Sequence, residues 1–211
     1  NANQVDLNRD AQNQSQPESK VLRTVYESFK PNFCFNLHDQ RTIYNVGTTS
    51  KPATVSFLAP AYDSERNVSG TRLKAMQLIA AMNEELQTLI SGQVGRYDDS
   101  FNVNCVGDTF QLLNTPTILF EAGHAYKDYE REKTREYIFY ALVKALDTIA
   151  QNTIEKYDQQ SYLNIPENGK CFFDILIKNA SRENSSERKD VGMLYTEVLR
   201  NGKISFIPKI E

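Results

Sequence analysis

The chain has 211 residues, 40% of them hydrophobic, which suffices for about one to one and a half ordinary domains and excludes disordered and collagen-like proteins. Its net charge of -3 provides no basic field, so nucleic acid is not an expected partner. Its apolar runs are far shorter than the roughly 18 to 20 residues that cross a membrane, so no membrane span is expected.

The first sixty residues predict a polar lead-in, a helix and two strands. Residues 1–16 are mostly polar and favour disorder. A capping box at Ser15, with proline in the first turn, begins a helix whose apolar residues recur at helical spacing until Pro31. The aromatic-rich segment 33–38 predicts a buried strand, and the apolar segment 53–59 predicts a second strand.

The middle of the chain predicts two helices and one strand around a long connection. Ser69 caps a helix with one apolar stripe that ends near Gly92. Residues 92–115 show no sustained period, and a connection of this length is either disordered or functional. Residues 116–121 form a compact apolar strand, and residues 138–149 place apolar side chains on one face of a helix.

The last sixty residues change in pattern and indicate β structure. Residues 171–178, 193–198 and 204–207 predict three strands, with a hairpin turn at Asn201-Gly202 between the last two. The polar residues 179–190 predict a mobile loop.

The alternation of strands and helices indicates the fold class. Over residues 1–150 it predicts an α/β domain with a mixed, largely parallel sheet and helices on both faces. Residues 151–211 are predicted to be a β-rich extension packed on the same domain. In α/β sheets of this kind ligands bind beyond the carboxyl ends of the strands. Two predicted strands end there in His38 and Glu121, which makes this edge the candidate site.

Each of these two residues has a functional and a structural interpretation. His38 is a metal ligand or general base, or a histidine satisfied by a backbone carbonyl. Glu121 follows an apolar strand, where burying an unpaired ion is costly. It is therefore either a general base with a perturbed pKa or one partner of a buried salt bridge, for example with Arg9 or Arg41.

The histidines and cysteines do not form a metal motif by themselves. Neither His38 nor His124 has the HxxE or HxxxH spacing that places two ligands on one ion. Cys34, Cys105 and Cys171 could form a zinc site, but isolated cysteines near apolar residues are more typical of small buried hydrophobes. Unpaired cysteines also favour a reducing, cytoplasmic compartment.

Four short segments, taken in order, resemble a known enzyme family. They are Val5-Asp-Leu-Asn-Arg9, Phe35-Asn-Leu-His-Asp39, Gly107-Asp108 and Ile118-Leu-Phe-Glu121. Together they are similar to the later half of a zinc metallocarboxypeptidase of the carboxypeptidase A-like type, and the resemblance covers about residues 1–150. It implies a zinc carboxypeptidase-like fold.

The resemblance also implies roles for five residues. Asn8 and Arg9 would bind the terminal carboxylate of a peptide, for which the planar guanidinium is well suited. His38 would be a zinc ligand, and Glu121 would be the base that takes a proton from zinc-bound water and passes it to the leaving amine. Tyr97 would be the flexible tyrosine that closes over the substrate.

One departure from the family pattern limits these expectations. The family's first two zinc ligands form an HxxE motif well upstream of the Asn-Arg segment, and only seven residues precede Asn8 here. We therefore expect the C-terminal portion of such an enzyme, inactive alone, with zinc bound in the complete enzyme and none expected to be bound in this chain. Gly107, which falls near the family's specificity pocket, offers no charge to select a substrate side chain.

Three alternatives remain open at this point. The chain could belong to a related zinc-dependent amidohydrolase that cleaves acyl-amino acids, or it could be a metal-free pseudo-enzyme that binds a peptide carboxylate. It could also be a structural α/β domain in which Glu121 forms a salt bridge. The first two share a partner, a peptide or acyl-amino acid with a free carboxylate.

Overall fold

A computed structural model describes residues 1–181 and 186–210, and the chain divides into two compact units, Asn1–Gly169 and Lys170–Glu211. This division falls later in the chain than the boundary at residue 150 that the change of sequence pattern suggests. Residues beyond 150 still contribute to the first core, where Tyr162 and Ile165 are buried.

The elements of both units follow in chain order. The α-helices are α1 (Pro17–Phe29), α2 (Gly70–Leu89), α3 (Val106–Leu112), α4 (Glu132–Ala150) and α5 (Gln159–Leu163), with short 3₁₀ helices at Leu7–Arg9 and Ile154–Lys156. The strands are β1 (Cys34–Asp39), β2 (Tyr44–Val46), β3 (Val55–Leu58), β4 (Val94–Arg96), β5 (Thr117–Ala122), β6 (Asn168–Lys170), β7 (Ile175–Ser181), β8 (Arg188–Arg200) and β9 (Lys203–Ile210).

The main sheet of the first unit confirms the prediction of a mixed, largely parallel α/β sheet. Its described strands lie in the order β1-β5-β3-β4. β1 is parallel to β5 and β3 is parallel to β4, whereas β3 and β5 are antiparallel. A separate pair joins β2 and β6.

One face of this sheet forms the hydrophobic core with α2 and α4. Phe57 and Phe120 are opposite each other in the β3-β5 register, and their rings meet edge to face. Met76 and Ile79 of α2 and Ala141 of α4 are buried in the same cluster. The predicted apolar stripes of these two helices are therefore the surfaces that cover the sheet, and the predicted N-cap of α2 is confirmed because Ser69 accepts a hydrogen bond from the next turn.

α3 lies on the other face of the sheet, and α1 contacts α3. α3 packs against β1 and β5, and the ring of Phe110 in α3 stacks on Tyr26 of α1. Because side chains alternate along a strand, His38 and Glu121 point to this second face, away from the α2 and α4 core. Helices thus lie on both faces, as predicted.

The N-terminal segment differs from the predicted disordered lead-in. Residues 7–9 form a 3₁₀ helix, and the backbone N–H of Ala11 donates to the carbonyl of Asn104. The predicted capping box is wrong, because the N-cap of α1 is Gln16 and it makes no side-chain capping bond. The carboxylate of Asp10 instead accepts the N–H groups of Ser15 and Gln16 at 2.9 and 3.0 Å.

Two further predictions fail because they depend on neighbours distant in sequence. β1 is a half-buried edge strand rather than a buried one, since β5 is its partner on one side of the described sheet. Residues 92–115, predicted to be irregular, contain β4 and α3. Elements of three and seven residues are too short to produce a detectable period.

The described residues of the second unit form an antiparallel sheet in the order β7-β8-β9. The hairpin at Asn201-Gly202 is confirmed, and both residues have positive φ, as the favoured two-residue hairpin turns require. The predicted mobile loop at 179–190 is strand up to Ser181 and from Arg188 onward. Its central part, 182–185, lies outside the described residues.

Across residues 1–181 and 186–210, none of the helices combines the length and the apolar character needed to span a bilayer.

Candidate functional site

A cavity of about 450 Å³ opens on the second face of the sheet, near the carboxyl ends of β1 and β5. The five residues that the sequence assigns to a site all line it: Asn8, Arg9, His38, Tyr97 and Glu121. They come from separate segments of the chain, so the fold, rather than proximity in sequence, brings them together.

His38 and Glu121 are neighbours across the two parallel strands. Their Cα atoms are register partners, and both side chains point into the cavity from the penultimate positions of β1 and β5. The separation at opposite ends of the sheet that would favour a structural domain is therefore not observed. Their arrangement allows both groups to act on one ligand.

A hydrogen bond to Asn36 fixes the imidazole of His38. Nε2 of His38 lies 3.0 Å from Oδ1 of Asn36, which also lines the cavity. With an amide oxygen as its partner, Nε2 carries the proton and Nδ1 retains its lone pair. Burial lowers the pKa of His38, so the neutral imidazole is favoured. The sequence offered a signal for Asn36, because residues two apart in a strand share a face.

Glu121 is buried, and one of its carboxyl oxygens is left unsatisfied by the residues that the structure describes. The residue is 7% exposed, and within the described part of the chain its Oε2 atom has no hydrogen-bond partner. Burial raises the pKa of Glu121 from 4.5 to about 7, with a smaller contribution from the negative charge of Asp39. The carboxyl group can therefore take up and release a proton near neutral pH, which is the property a general base needs.

Arg9 presents a cation to the same cavity. Its Nη1 donates to the carbonyl of Asn8 at 3.2 Å and to Sγ of Cys105 at 3.0 Å, and it forms no ion pair with any residue that the structure describes. The amide oxygen of Asn8 accepts the N–H of Val106 at 3.2 Å, which leaves the Nδ2 group as its donor to a ligand. The two side chains provide the donors that a carboxylate needs.

Tyr97 lies at the end of β4, where its backbone N–H donates to the carbonyl of Phe57 at 2.9 Å. Its hydroxyl lies 3.3 Å from the hydroxyl of Tyr44, and the two rings meet edge to face. Burial and this hydrogen bond raise the pKa of Tyr97, so the phenol stays protonated. Tyr97 thus lines the cavity with a protonated hydroxyl group.

Asp108 is a cavity residue whose chemistry the sequence did not reveal. The residue is 7% exposed, and its carboxylate accepts the N–H of Asn102 at 3.2 Å. Burial raises the pKa of Asp108 to about 6. Gly107, its neighbour, also lines the cavity and offers no side chain there.

The residues around the cavity do not form a complete zinc site. A catalytic zinc uses three protein ligands and a water molecule. The cavity offers the imidazole of His38, and no group of three histidine, cysteine or acidic side chains in the described ranges is placed to hold a metal ion. The cysteine site considered from the sequence is likewise not formed by the described residues.

Comparisons with known proteins do not identify this chain: no family model, no curated protein and no solved structure matches it. For the described residues, the fold and the cavity define an α/β protein with a cavity that combines a cation, an imidazole and a carboxyl group of raised pKa.

Proposed function

We propose that this chain is the portion of a zinc metallocarboxypeptidase that binds the substrate's terminal carboxylate and carries the general base. The observation that carries the proposal is the convergence of Arg9, His38 and Glu121 on one cavity. His38 is the zinc ligand that the described residues supply, and the proposal requires the remaining ligands to come from elsewhere in the complete enzyme.

The carboxylate contact rests on Arg9 and Asn8. A buried or half-buried carboxylate is best satisfied by a planar guanidinium, which donates two parallel hydrogen bonds. The guanidinium of Arg9 is held at the cavity by Cys105 while making no ion pair with a described residue. A peptide with a free C-terminus would supply the missing anion.

The hydrolytic role rests on Glu121. Hydrolysis of a peptide bond needs a group that takes a proton from the attacking water and gives it to the leaving amine. A carboxyl group with a pKa of about 7 is suited to both steps at neutral pH. The Cα atom of Glu121 is the register partner of that of His38, the proposed metal ligand, which supports a joint role for the two side chains.

The carboxylate contact can be tested on the chain itself. Calorimetric titration should show that acetyl-Ala-Phe binds and that its C-terminal amide does not. Loss of a charge-assisted hydrogen bond costs about 1.5 to 3 kcal/mol, so Arg9→Met should weaken binding by about 10- to 100-fold. Arg135→Met is the matched control, because Arg135 is exposed and bonds to Glu132 within its own helix. Equal binding of acid and amide would refute the proposal.

The test of the catalytic role of Glu121 uses the full-length natural protein. Glu121→Gln should abolish carboxypeptidase turnover while zinc content and acetyl-Ala-Phe binding stay at the wild-type level. Full activity of this variant would exclude Glu121 as the base. Cleavage of acyl-amino acids in place of peptides would indicate the amidohydrolase alternative, and binding without any turnover in the wild-type protein would indicate a pseudo-enzyme.

A further inference from the structure

Arg131 lies outside the cavity, at the carboxyl ends of the two strands that carry His38 and Glu121. It is the N-cap residue of α4 and has a φ of 57°, a left-handed conformation that costs a non-glycine residue roughly 1 kcal/mol. Its side chain is 26% exposed. A strained, half-buried arginine at this position indicates contacts that hold it there.

The guanidinium of Arg131 joins both strand ends. Nη1 donates to the carbonyl of Ala122 at 2.6 Å, Nη2 donates to the carbonyl of Gln40 at 3.1 Å, and Nη1 lies 3.5 Å from the carboxylate of Asp39. The same carbonyl of Ala122 accepts the N–H of Gln40 at 2.9 Å, which is the last bond between the two segments before they separate.

The residues that Arg131 contacts lie within two positions of His38 or Glu121 along the chain. Asp39 and Gln40 follow His38 directly, and Ala122 follows Glu121. Strand ends fray where the ladder of hydrogen bonds stops, so a clamp at this point restricts both backbones. Lysine could not replace the contacts, because a single ammonium group lacks the planar fork that reaches two carbonyl groups and a carboxylate together.

We propose that Arg131 is a positioning residue that fixes the separation of the His38 imidazole and the Glu121 carboxyl group. The catalytic part of this inference rests on the proposed function, whereas the structural part does not. Arg131 is absent from the residues that line the cavity, so it acts through the backbone of β1 and β5 rather than on the ligand.

Hydrogen exchange tests the structural part on the chain as it exists. Arg131→Met should speed exchange of the Gln40 amide by about tenfold or more, the factor that corresponds to loss of one charge-assisted hydrogen bond. Exchange of the core amide of Ile79 in α2 should change much less. Arg131→Lys should lie between Arg131→Met and the wild type, and Arg135→Met should leave both amides unchanged.

A purely stabilising role would give a different pattern. The positioning role of Arg131 is refuted if Arg131→Met speeds hydrogen exchange of the Gln40 and Ile79 amides by the same factor. It is also refuted if the Gln40 amide of this variant exchanges at the wild-type rate. If Arg131→Met does not fold, the comparison of Arg131→Lys with the wild type decides the question by the same criterion.

Kinetics of the full-length protein test the catalytic part. A misplacement of reacting groups lowers the rate by up to about 100-fold, so Arg131→Met should lower kcat by that order while KM stays within about twofold. Acetyl-Ala-Phe should bind the variant as it binds the wild type. Unchanged kcat would overturn the positioning role. Failure of the proposed function is distinguishable, because the wild-type protein itself would then fail to bind the acid or fail to turn over substrate, whatever the exchange result.

Discussion

The burial of Glu121 predicts that Glu121→Gln makes the protein more stable at neutral pH while removing its general base. Glutamine has the shape of the protonated acid and carries no charge, so it should suit the buried position better than the ionised carboxylate. The trade of stability against function at such a site is common in enzymes.

The size and pH range of the effect follow from the raised pKa of Glu121. Below pH 4.5 the carboxyl group is protonated in both states, and the two proteins should be equally stable. Between pH 4.5 and about 7, Glu121 is largely ionised in the unfolded chain but largely protonated in the folded chain. The free energy of unfolding of the wild type therefore falls as the pH rises through this range. The difference in free energy of unfolding between the variant and the wild type is at most about 3 kcal/mol. Screening by solvent in the open cavity reduces it to about 1 to 2 kcal/mol.

Urea unfolding at a series of pH values measures this difference. The α-helices that the structure describes lie in the first unit, so the helical signal in far-ultraviolet circular dichroism reports on the unit that contains Glu121. The exposed carboxylate of Glu130 provides the control, and Glu130→Gln should run parallel to the wild type. If the Glu121→Gln curve is also parallel to the wild type over the whole range, the folded state does not disfavour ionisation of Glu121 and the reasoning is wrong.

Further predictions concern packing and thiol accessibility. A Cβ atom at Gly123 would overlap the backbone carbonyl of Ala53, so Gly123→Ala should lower the free energy of unfolding by about 3 kcal/mol, as thermal unfolding can measure. Gly70 lies in the first turn of α2 with open space around it, so Gly70→Ala should raise the free energy of unfolding by up to about 1 kcal/mol. Equal effects would contradict the packing. Burial raises the pKa of the Cys34 thiol to about 11, so iodoacetamide should label it more slowly than the exposed Cys171, as mass spectrometry of the two peptides can show.

The long, periodic elements were predictable and the short ones were not. α2 and α4 show helical spacing over many turns, and both lie close to the positions that the spacing predicts. β2 and β4 have three residues each, which is too few to show a period. The edge position of β1 could not be read from its apolar residues, because it depends on which strands lie beside it.

Some residues of the candidate site could likewise be predicted from the sequence, and others could not. The sequence predicts the residues at strand ends, because an α/β sheet places the carboxyl ends of its parallel strands at one edge. Asn36 shares the face of His38 and could have been inferred from strand alternation. Arg131 could not, since its contacts depend on the left-handed turn before α4, which carries no sequence signal that points to the ends of β1 and β5.

Arg9 and Glu121 share a cavity without neutralising each other, and this favours a ligand that contacts both. A salt bridge between them would have satisfied both side chains and closed the site, but Oε2 of Glu121 has no partner among the described residues. Each group is held on its own element, Glu121 within β5 and Arg9 on Sγ of Cys105. A molecule that carries a carboxylate at one end and a proton to donate at the other would satisfy both, and a peptide terminus with an attacking water has that arrangement.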